Sequence, residues 1–307
     1  MRVIVAGMSD HEIELLIPAR RRELVPGAFV RRVLPYSKRR AVGPFVFLDH
    51  MGPDSFGPGE GADIGPHPHI GLSTLTYLYT GRIRHRDSTG ADRIVGPGDV
   101  SFMTGGRAVA HSERTPEEDR RSPREAHGLQ LWVALPREHE EVAPTYQYLR
   151  ADQLPTFEDR GAHVKLVAGT WNMHTSPLAV HAPTLSADVR LDAGASLELP
   201  SDYAERAIYV SDGRGTIGGE VLESGTLAVL APGARPSFRA ESACRAMVLG
   251  GAPLDGPRIL FWNFVASTEA RIERARHEWE NDLFPTIPGE TGKIPIPEHL
   301  RPNTRST

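Results

Sequence analysis

An internal repeat of domain size most constrains the fold of this chain. The run that ends at Gly81 resembles the run that ends at Gly213, and the turn at Gly98 resembles the turn at Gly225. The two pairs are offset by 132 and 127 residues in a chain of 307 residues. Two similar offsets of this length predict two homologous domains built on one fold.

Short runs of apolar, β-branched and aromatic residues recur along the chain, separated by turn residues. The 30 glycines and 26 prolines favour turns over long helices. The runs predict strands at seven places: 45–48, 72–79, 100–103, 129–135, 207–210, 226–230 and 246–249. This spacing is typical of an antiparallel sandwich or barrel, so the predicted fold class is all-β.

A charged cluster around Pro155 marks the predicted join between the two domains. We therefore expect an amino-terminal domain over 1–150 and a carboxy-terminal domain over 151–307. Near the end of the chain, Ser267 is a candidate cap for a helix that runs to about Asn281. Three apolar residues at helical spacing support that helix: Ile272, Ala275 and Trp279.

Composition and charge exclude several classes of protein. No apolar stretch approaches the roughly 20 residues of a membrane span, and the apolar run 3–6 is too short for the core of a signal peptide. We therefore expect a cytoplasmic protein without a membrane partner. The single cysteine, Cys244, cannot form an intramolecular disulfide. A net charge of −4 gives no global attraction to nucleic acid, and the short arginine runs predict a solvated face.

Two pairs of side chains have the spacing of metal ligands. His67 and His69 form one pair, and His111 and Glu113 form the other. In a strand, residues i and i+2 point to the same side, so each pair presents both side chains together. On facing strands the two pairs can converge on one ion. For any one of the 13 histidines alone, an ordinary hydrogen-bonded role is the better interpretation. The alternating pairs reverse that preference and predict a metal site.

Imidazole nitrogens with one carboxylate suit Fe(II), and four protein ligands leave up to two octahedral positions open for catalysis or ligand exchange. The same donors accept Mn, Ni, Cu or Zn. His85 and His127 have no second ligand at strand spacing, so we expect structural or supporting roles for both. Gln130 either orients a ligand or is an ordinary strand amide, and the second interpretation is favoured.

The second copy of the repeat serves as an internal control for the metal site. Aligned on the glycines, Leu199 and Ser201 replace the histidine pair, and Phe238 and Ala240 replace the second pair. The sequence therefore predicts one metal per chain, in the amino-terminal domain.

These motifs resemble the cupin jelly roll and, more specifically, the pirin family. The resemblance covers nearly the whole chain and rests on several segments: Gly43-Pro-Phe-Val-Phe-Leu-Asp-His50, His67-Pro-His-Ile-Gly-Leu, His85-Arg-Asp-Ser-Thr-Gly, His111-Ser-Glu, His127-Gly-Leu-Gln-Leu-Trp-Val and Trp262-Asn-Phe-Val265. It implies two jelly-roll domains face to face. It also implies a single iron, held by residues that match His67, His69, His111 and Glu113.

The resemblance implies two kinds of function. Some pirins are quercetinases, which open a flavonol with dioxygen, and in that reaction Glu113 is the candidate base. The alternative is a non-enzymatic, iron-dependent redox regulator that acts through a protein partner. A storage-type cupin without metal is a third interpretation. One departure stands out: Ser73 occupies a position where many relatives have Glu, so metal affinity or substrate preference is expected to differ.

Overall fold

The computed structural model describes residues 12–25 and 28–300, so the apolar run 3–6 lies outside the described residues. Within these ranges the chain forms 26 strands, one α-helix and four short 3-10 helices. In chain order the strands are β1 (Ile13–Pro18), β2 (Arg20–Val25), β3 (Ala28–Leu34), β4 (Phe45–Phe56), β5 (Asp63–His69), β6 (Leu72–Thr80), β7 (Ile83–Asp87), β8 (Asp92–Val95), β9 (Val100–Thr104), β10 (Val109–Arg114), β11 (Arg124–Ala134), β12 (Thr145–Leu149), β13 (Thr156–Asp159), β14 (Ala162–Ala168), β15 (Thr170–Trp171), β16 (His174–Thr175), β17 (Thr184–Leu191), β18 (Ser196–Glu198), β19 (Glu205–Asp212), β20 (Arg214–Ile217), β21 (Glu220–Glu223), β22 (Thr226–Leu230), β23 (Ser237–Ala240), β24 (Cys244–Gly251), β25 (Ile259–Phe261) and β26 (Phe264–Ala266). The helices are α1 (Glu269–Glu280) and the 3-10 turns Glu117–Arg121, Arg137–His139, Ala151–Gln153 and Glu298–Leu300.

The chain divides into two compact units. The histidine unit contains residues 20–153 and 254–300, and the second unit contains residues 12–19 and 154–253. This division differs from the expected domains 1–150 and 151–307 at both ends of the chain. The repeat could not assign the flanking segments, because their positions depend on pairing and packing that lie outside it.

Each unit contains one large and one small antiparallel sheet. In the histidine unit the strand orders are β12-β9-β6-β11-β4-β3-β2 and β5-β10-β7-β8. The eight consecutive strands β4 to β11 form a jelly roll, and β2, β3 and β12 extend its large sheet. The predicted all-β fold is confirmed, and so are the predicted strands of this unit.

The second unit repeats this arrangement strand by strand. Its large sheet has the order β1-β22-β19-β24-β17-β14-β13, and its small sheet has the order β18-β23-β20-β21. The repeat predicted from the glycines is therefore confirmed. Gly81 and Gly213 have φ of 78° and 70°. A Cβ on either would lie within 2.6 Å of a main-chain oxygen, so both turns require glycine.

The edge strands explain why the amino-terminal segment belongs to the second unit. In the histidine unit, β12 pairs with β9 along the sheet edge. At the matching edge of the second unit, β1 pairs with β22, and Ile17 of β1 lies opposite Leu227. In the second unit this edge strand is β1, which precedes the histidine unit in sequence. In the histidine unit it is β12, which directly follows the jelly-roll strands.

The segment after residue 253 returns to the histidine unit. Its helix α1 begins after Thr268, whose side chain accepts a hydrogen bond from Arg271 N. The prediction of Ser267 as the cap is wrong by one residue, because the Ser267 hydroxyl donates to Glu140 Oε2 at 2.8 Å. The predicted apolar face is confirmed, since Ile272 and Trp279 are buried in one cluster with Phe264. No helix in the described ranges has the length and apolar character needed to cross a membrane.

In the second unit, apolar side chains occupy the positions that correspond to the metal ligands. Phe238 and Ala240 are fully buried in the hydrophobic cluster of the second unit. In the small sheets, His111 lies opposite His67, whereas Phe238 lies opposite Leu197. The position matching His67 is therefore Leu197, two residues before the Leu199 given by the glycine offset.

Candidate metal centre

Two adjacent strands of the small sheet carry the four predicted ligands. His67 and His69 lie on β5, and His111 and Glu113 lie on β10. The antiparallel register pairs His111 with His67, and a bulge follows between His111 and Glu113. All four side chains are buried. The alternation of strand residues thus brings the two sequence pairs to one place, as the spacing predicted.

The three histidines form a compact triad. His69 Nε2 lies 3.1 Å from His111 Nε2, and the ring centroids of His67 and His111 lie 4.2 Å apart. One nitrogen from each ring lies within 4.8 Å of the other two. Nitrogens bound at about 2.1 Å to one ion are separated by at most about 4.2 Å, so small ring adjustments suffice for coordination. The triad therefore fits a divalent metal.

Main-chain carbonyls orient two of the rings. His67 Nδ1 lies 2.9 Å from the Gly65 carbonyl oxygen, and His69 Nδ1 lies 3.0 Å from the Asn263 carbonyl oxygen. A carbonyl only accepts, so both Nδ1 atoms carry the proton and both Nε2 lone pairs are free for a metal. Asn263 is a residue that sequence reasoning missed, because nothing local marks a carbonyl 194 residues away from its partner.

Burial keeps the triad neutral. It lowers the pKa of His67 to about 4 and the pKa of His69 and His111 well below the ordinary value, to which the neighbouring histidines also contribute. Neutral imidazole is the form that binds a metal. At neutral pH the three rings therefore have their lone pairs available.

Glu113 contacts a short polar chain on the large sheet. Thr76 Oγ1 lies 3.2 Å from Glu113 Oε1 and 2.8 Å from Gln130 Oε1. Burial raises the pKa of Glu113. Gln130 is thus linked through Thr76 to the predicted carboxylate ligand. Glu113 forms a second compact group with His85 and His111, and its place as a fourth ligand stays a prediction.

His85 and Asp87 lie directly behind the triad on β7. His85 Nδ1 lies 3.5 Å from His111 Nδ1, and His85 Nε2 lies 2.9 Å from Asp87 Oδ2. Burial would raise the pKa of Asp87, but hydrogen bonds from His85 and Thr89 lower it overall. The sequence analysis considered His85 alone and missed Asp87. The i, i+2 spacing of these two residues was the available signal.

His50 and His127 lie outside the triad and contact each other. His127 Nε2 lies 2.6 Å from His50 Nε2, and the two rings are stacked. Ser73 Oγ lies 2.9 Å from Thr104 Oγ1 on the neighbouring strand β9. Ser73, the departure noted in the sequence, is thus hydrogen-bonded within the large sheet.

A cavity of about 120 Å³ opens onto the triad and Glu113. Phe47 and Trp132 form a stacked pair on its wall, with ring centroids 4.0 Å apart. Asp49, also on the wall, makes two 2.8 Å hydrogen bonds with Arg32. Burial raises the pKa of Asp49 in spite of this partner. The remaining lining residues are Val30, Met51, Ile64, Gln130, Trp262, Asn263 and Ile294.

Comparisons with known proteins agree with the fold of both units. The Pirin family model matches residues 27–133, and the model of the Pirin C-terminal cupin domain matches residues 186–285. A pirin-like protein of Caulobacter vibrioides is 43% identical over 291 residues, which cover 93% of this chain and 100% of the relative.

Solved structures give the same result. A quercetin 2,3-dioxygenase of Acinetobacter baumannii has a TM-score of 0.87 and 32% identity, covering 95% of this chain and 97% of that one. The bacterial pirin YhhW of Escherichia coli, solved with nickel(II), has a TM-score of 0.62 at 20% identity, covering 78% of this chain and 99% of that one. The second likeness is one of fold.

Proposed function

Because the chain belongs to the pirin family, we propose that it is a metal-dependent dioxygenase that opens the ring of quercetin-like flavonols with dioxygen. The observation that carries the proposal is the convergence of three neutral, buried histidines at the end of a cavity with an aromatic wall. The likeness to a quercetin 2,3-dioxygenase at 32% identity supports the substrate class. We propose one iron ion per chain, with Mn, Ni, Cu or Zn as substitutes.

The protein's own residues divide the work. His67, His69 and His111 would hold the metal through Nε2, and Glu113 would complete the set. When bound, a divalent metal supplies a Lewis acid that lowers the pKa of a coordinated hydroxyl. Glu113 would take the proton of the flavonol 3-hydroxyl, because its carboxylate lines the cavity. The Thr76 hydroxyl is shared between Gln130 Oε1 at 2.8 Å and one oxygen of that carboxylate at 3.2 Å.

The cavity wall suits a flat aromatic substrate. Phe47 and Trp132 present a stacked pair, against which an aryl ring can pack. The cavity volume of about 120 Å³ is below the roughly 300–1,000 Å³ of ordinary ligand pockets. We therefore propose that the ring bearing the 3-hydroxyl enters the cavity while the rest of the flavonol stays at its mouth.

Metal analysis followed by oxygen uptake tests the proposal. Purified protein is expected to contain about one metal ion per chain, and quercetin is expected to disappear only when both iron and dioxygen are present. The double variant His111→Ala with Glu113→Ala is expected to lose both metal and turnover. His163→Ala is a matched control, because His163 is exposed on β14 of the second unit.

The same experiment separates the alternatives. Bound iron without oxygen-dependent loss of any flavonol would contradict the dioxygenase and favour the redox regulator with a protein partner. A protein that takes up no metal would contradict both and favour the storage-type cupin. The cytoplasmic location stays a prediction from the sequence.

A further inference from the structure

The third histidine of the triad is oriented differently from the other two. His67 and His69 donate from Nδ1 to main-chain carbonyls. His111 Nδ1 instead faces a side chain, the Nδ1 atom of His85 at 3.5 Å. His85 in turn lies 2.9 Å from Asp87 through its Nε2 atom. Asp87, His85 and His111 are all buried.

The sheet holds this row of side chains in place. Strand β7 pairs with β10, so that Asp87 lies opposite His111 and His85 lies opposite Glu113. The ring of Tyr146 stacks on His85, with centroids 4.5 Å apart and planes within 14°. The Tyr146 hydroxyl is fixed by Ser101 Oγ at 3.0 Å. The plane of the His85 ring is thus set by an independent contact.

Hydrogen-bond polarity determines where each proton lies. Asp87 Oδ1 already accepts from Thr89 N, Thr89 Oγ1 and Ala91 N, at 2.8, 2.6 and 3.2 Å. The carboxylate therefore acts as an acceptor, and Oδ2 accepts from His85 Nε2. When His85 donates from Nε2 and carries no proton on Nδ1, its Nδ1 atom can only accept. In that arrangement His111 donates from Nδ1, and its Nε2 lone pair faces that of His69 at 3.1 Å, a separation that suits two nitrogens bound to one metal ion.

We propose that Asp87 and His85 are positioning residues that hold His111 in the tautomer required for metal binding. The inference rests on the proposed metal site, and it assigns a function to two residues outside the proposed ligand set. A carboxylate behind a metal-binding histidine fixes ring orientation and raises ligand basicity, and its loss lowers metal affinity by roughly 10–100-fold. Here a second histidine carries that effect across one additional ring.

The contacts from Asp87 through His85 to His111 form a relay. The variant Asp87→Asn tests whether this relay sets the position of the His111 proton. Its Oδ1 can keep the three donors from Thr89 and Ala91, while an NH₂ group replaces Oδ2. The amide would donate to His85 Nε2, which moves the His85 proton to Nδ1 and forces His111 to carry its own proton on Nε2. That proton points at the metal site. We expect the Zn²⁺ dissociation constant to rise about 10–100-fold.

His85→Phe is a second variant that keeps the stack on Tyr146 but removes the acceptor, and it is expected to weaken Zn²⁺ binding about 10-fold. Asp92→Asn is the matched control. It makes the same change on the adjacent strand β8, where the carboxylate pairs with Arg84 at the surface. Its Zn²⁺ affinity is expected to equal that of the unchanged protein. Circular dichroism and melting temperature show whether each variant is folded.

Two measurements decide the proposal. Zn²⁺ affinity and stoichiometry come from competition with a chromophoric chelator. The tautomer comes from long-range ¹H–¹⁵N spectra of the metal-free protein labelled at histidine, with His111 assigned by its loss in His111→Asn. We expect an Nδ1 proton in the unchanged protein and an Nε2 proton in Asp87→Asn.

Several results would overturn the relay. One is an Nε2 proton on His111 in the unchanged protein, and another is a Zn²⁺ affinity within twofold of normal in both folded variants. Two zinc ions per chain would also overturn it, because His85 would then be a ligand in the group with His111 and Glu113. If the unchanged protein binds no metal, the proposed function fails, while the tautomer spectra still decide the relay.

Discussion

The folded protein is expected to lose stability in acid, in part because of His50, a buried histidine on β4 that is not a member of the triad. His50 Nε2 lies 2.9 Å from Arg31 Nη2 and 2.6 Å from His127 Nε2. Burial, with the charge of Arg31 and then of His127, lowers the pKa of His50 to about 2. An unfolded histidine takes up a proton near pH 6.5. The unfolded state therefore binds more protons as the pH falls below 6.5, and the folded state loses stability.

The size of this effect follows from the pKa difference. Each pH unit between the two pKa values costs about 1.4 kcal/mol in the free energy of unfolding. Between pH 6.5 and pH 5 the contribution of His50 is therefore about 2 kcal/mol. The stability is fully present above pH 6.5 and declines steadily on acidification.

The variant His50→Gln isolates this contribution, because glutamine does not titrate. We expect the loss of unfolding free energy between pH 8 and pH 5 to be about 2 kcal/mol smaller in the variant than in the unchanged protein. Urea denaturation followed by tryptophan fluorescence measures both differences. Thr145→Gln, which introduces glutamine at an exposed position of β12 and removes no titrating group, is the control and should leave the pH dependence as it is. Equal pH dependence in His50→Gln and the unchanged protein would refute the reasoning.

Three further outcomes are expected. Glu113→Gln should lower the rate of oxygen-dependent flavonol loss at least about 100-fold, the usual minimum for removing a general base, in an oxygen-electrode assay; a rate within threefold of normal would exclude Glu113 as the base. Chelation of the metal should increase hydrogen exchange in β5 and β10 and leave β18 and β23 of the second unit unchanged. At a free metal concentration 100 times the dissociation constant, bound metal adds about 2.7 kcal/mol to the protection of these strands. Mass spectrometry measures the exchange, and equal changes in both small sheets would contradict a metal site confined to the histidine unit. Gly213→Ala should destabilise the protein by about 2–4 kcal/mol in thermal unfolding, because a Cβ would lie 2.2 Å from the Ala243 carbonyl oxygen. Gly219→Ala, which also has positive φ but open space, should cost only about 1 kcal/mol, and equal losses would show that the contact is relieved at no cost.

The sequence contained enough to predict the repeat, the all-β class and the histidine triad, since these depend on local periodicity. A strand turns residues i and i+2 to one side whatever surrounds it, so His67 and His69 could be paired without a structure. Leu197 shows the limit of this reasoning. The glycine offset indicated Leu199 instead. An alignment anchored at one turn cannot detect that the preceding short strand is displaced by two residues.

What could not be predicted depends on contacts between distant parts of the chain. The Asn263 carbonyl that orients His69 and the Ile294 side chain in the cavity wall come from the segment after residue 253. No pattern within that segment distinguishes them from neighbouring residues. The exchange of Ser267 for Thr268 as the helix cap has the same origin, since Glu140 binds the Ser267 hydroxyl from another element.

The two-part composition of the histidine unit sets the order of events during synthesis. A ribosome delivers β4 to β11 first, then the whole of 154–253, and only afterwards Asn263 and Ile294. A nascent chain that has emerged as far as residue 253 carries the three histidines but has neither the carbonyl that turns His69 nor one wall of the cavity. We therefore expect firm metal binding only after Asn263 and Ile294 have been delivered, and a chain truncated at residue 253 to bind metal more weakly than the full sequence.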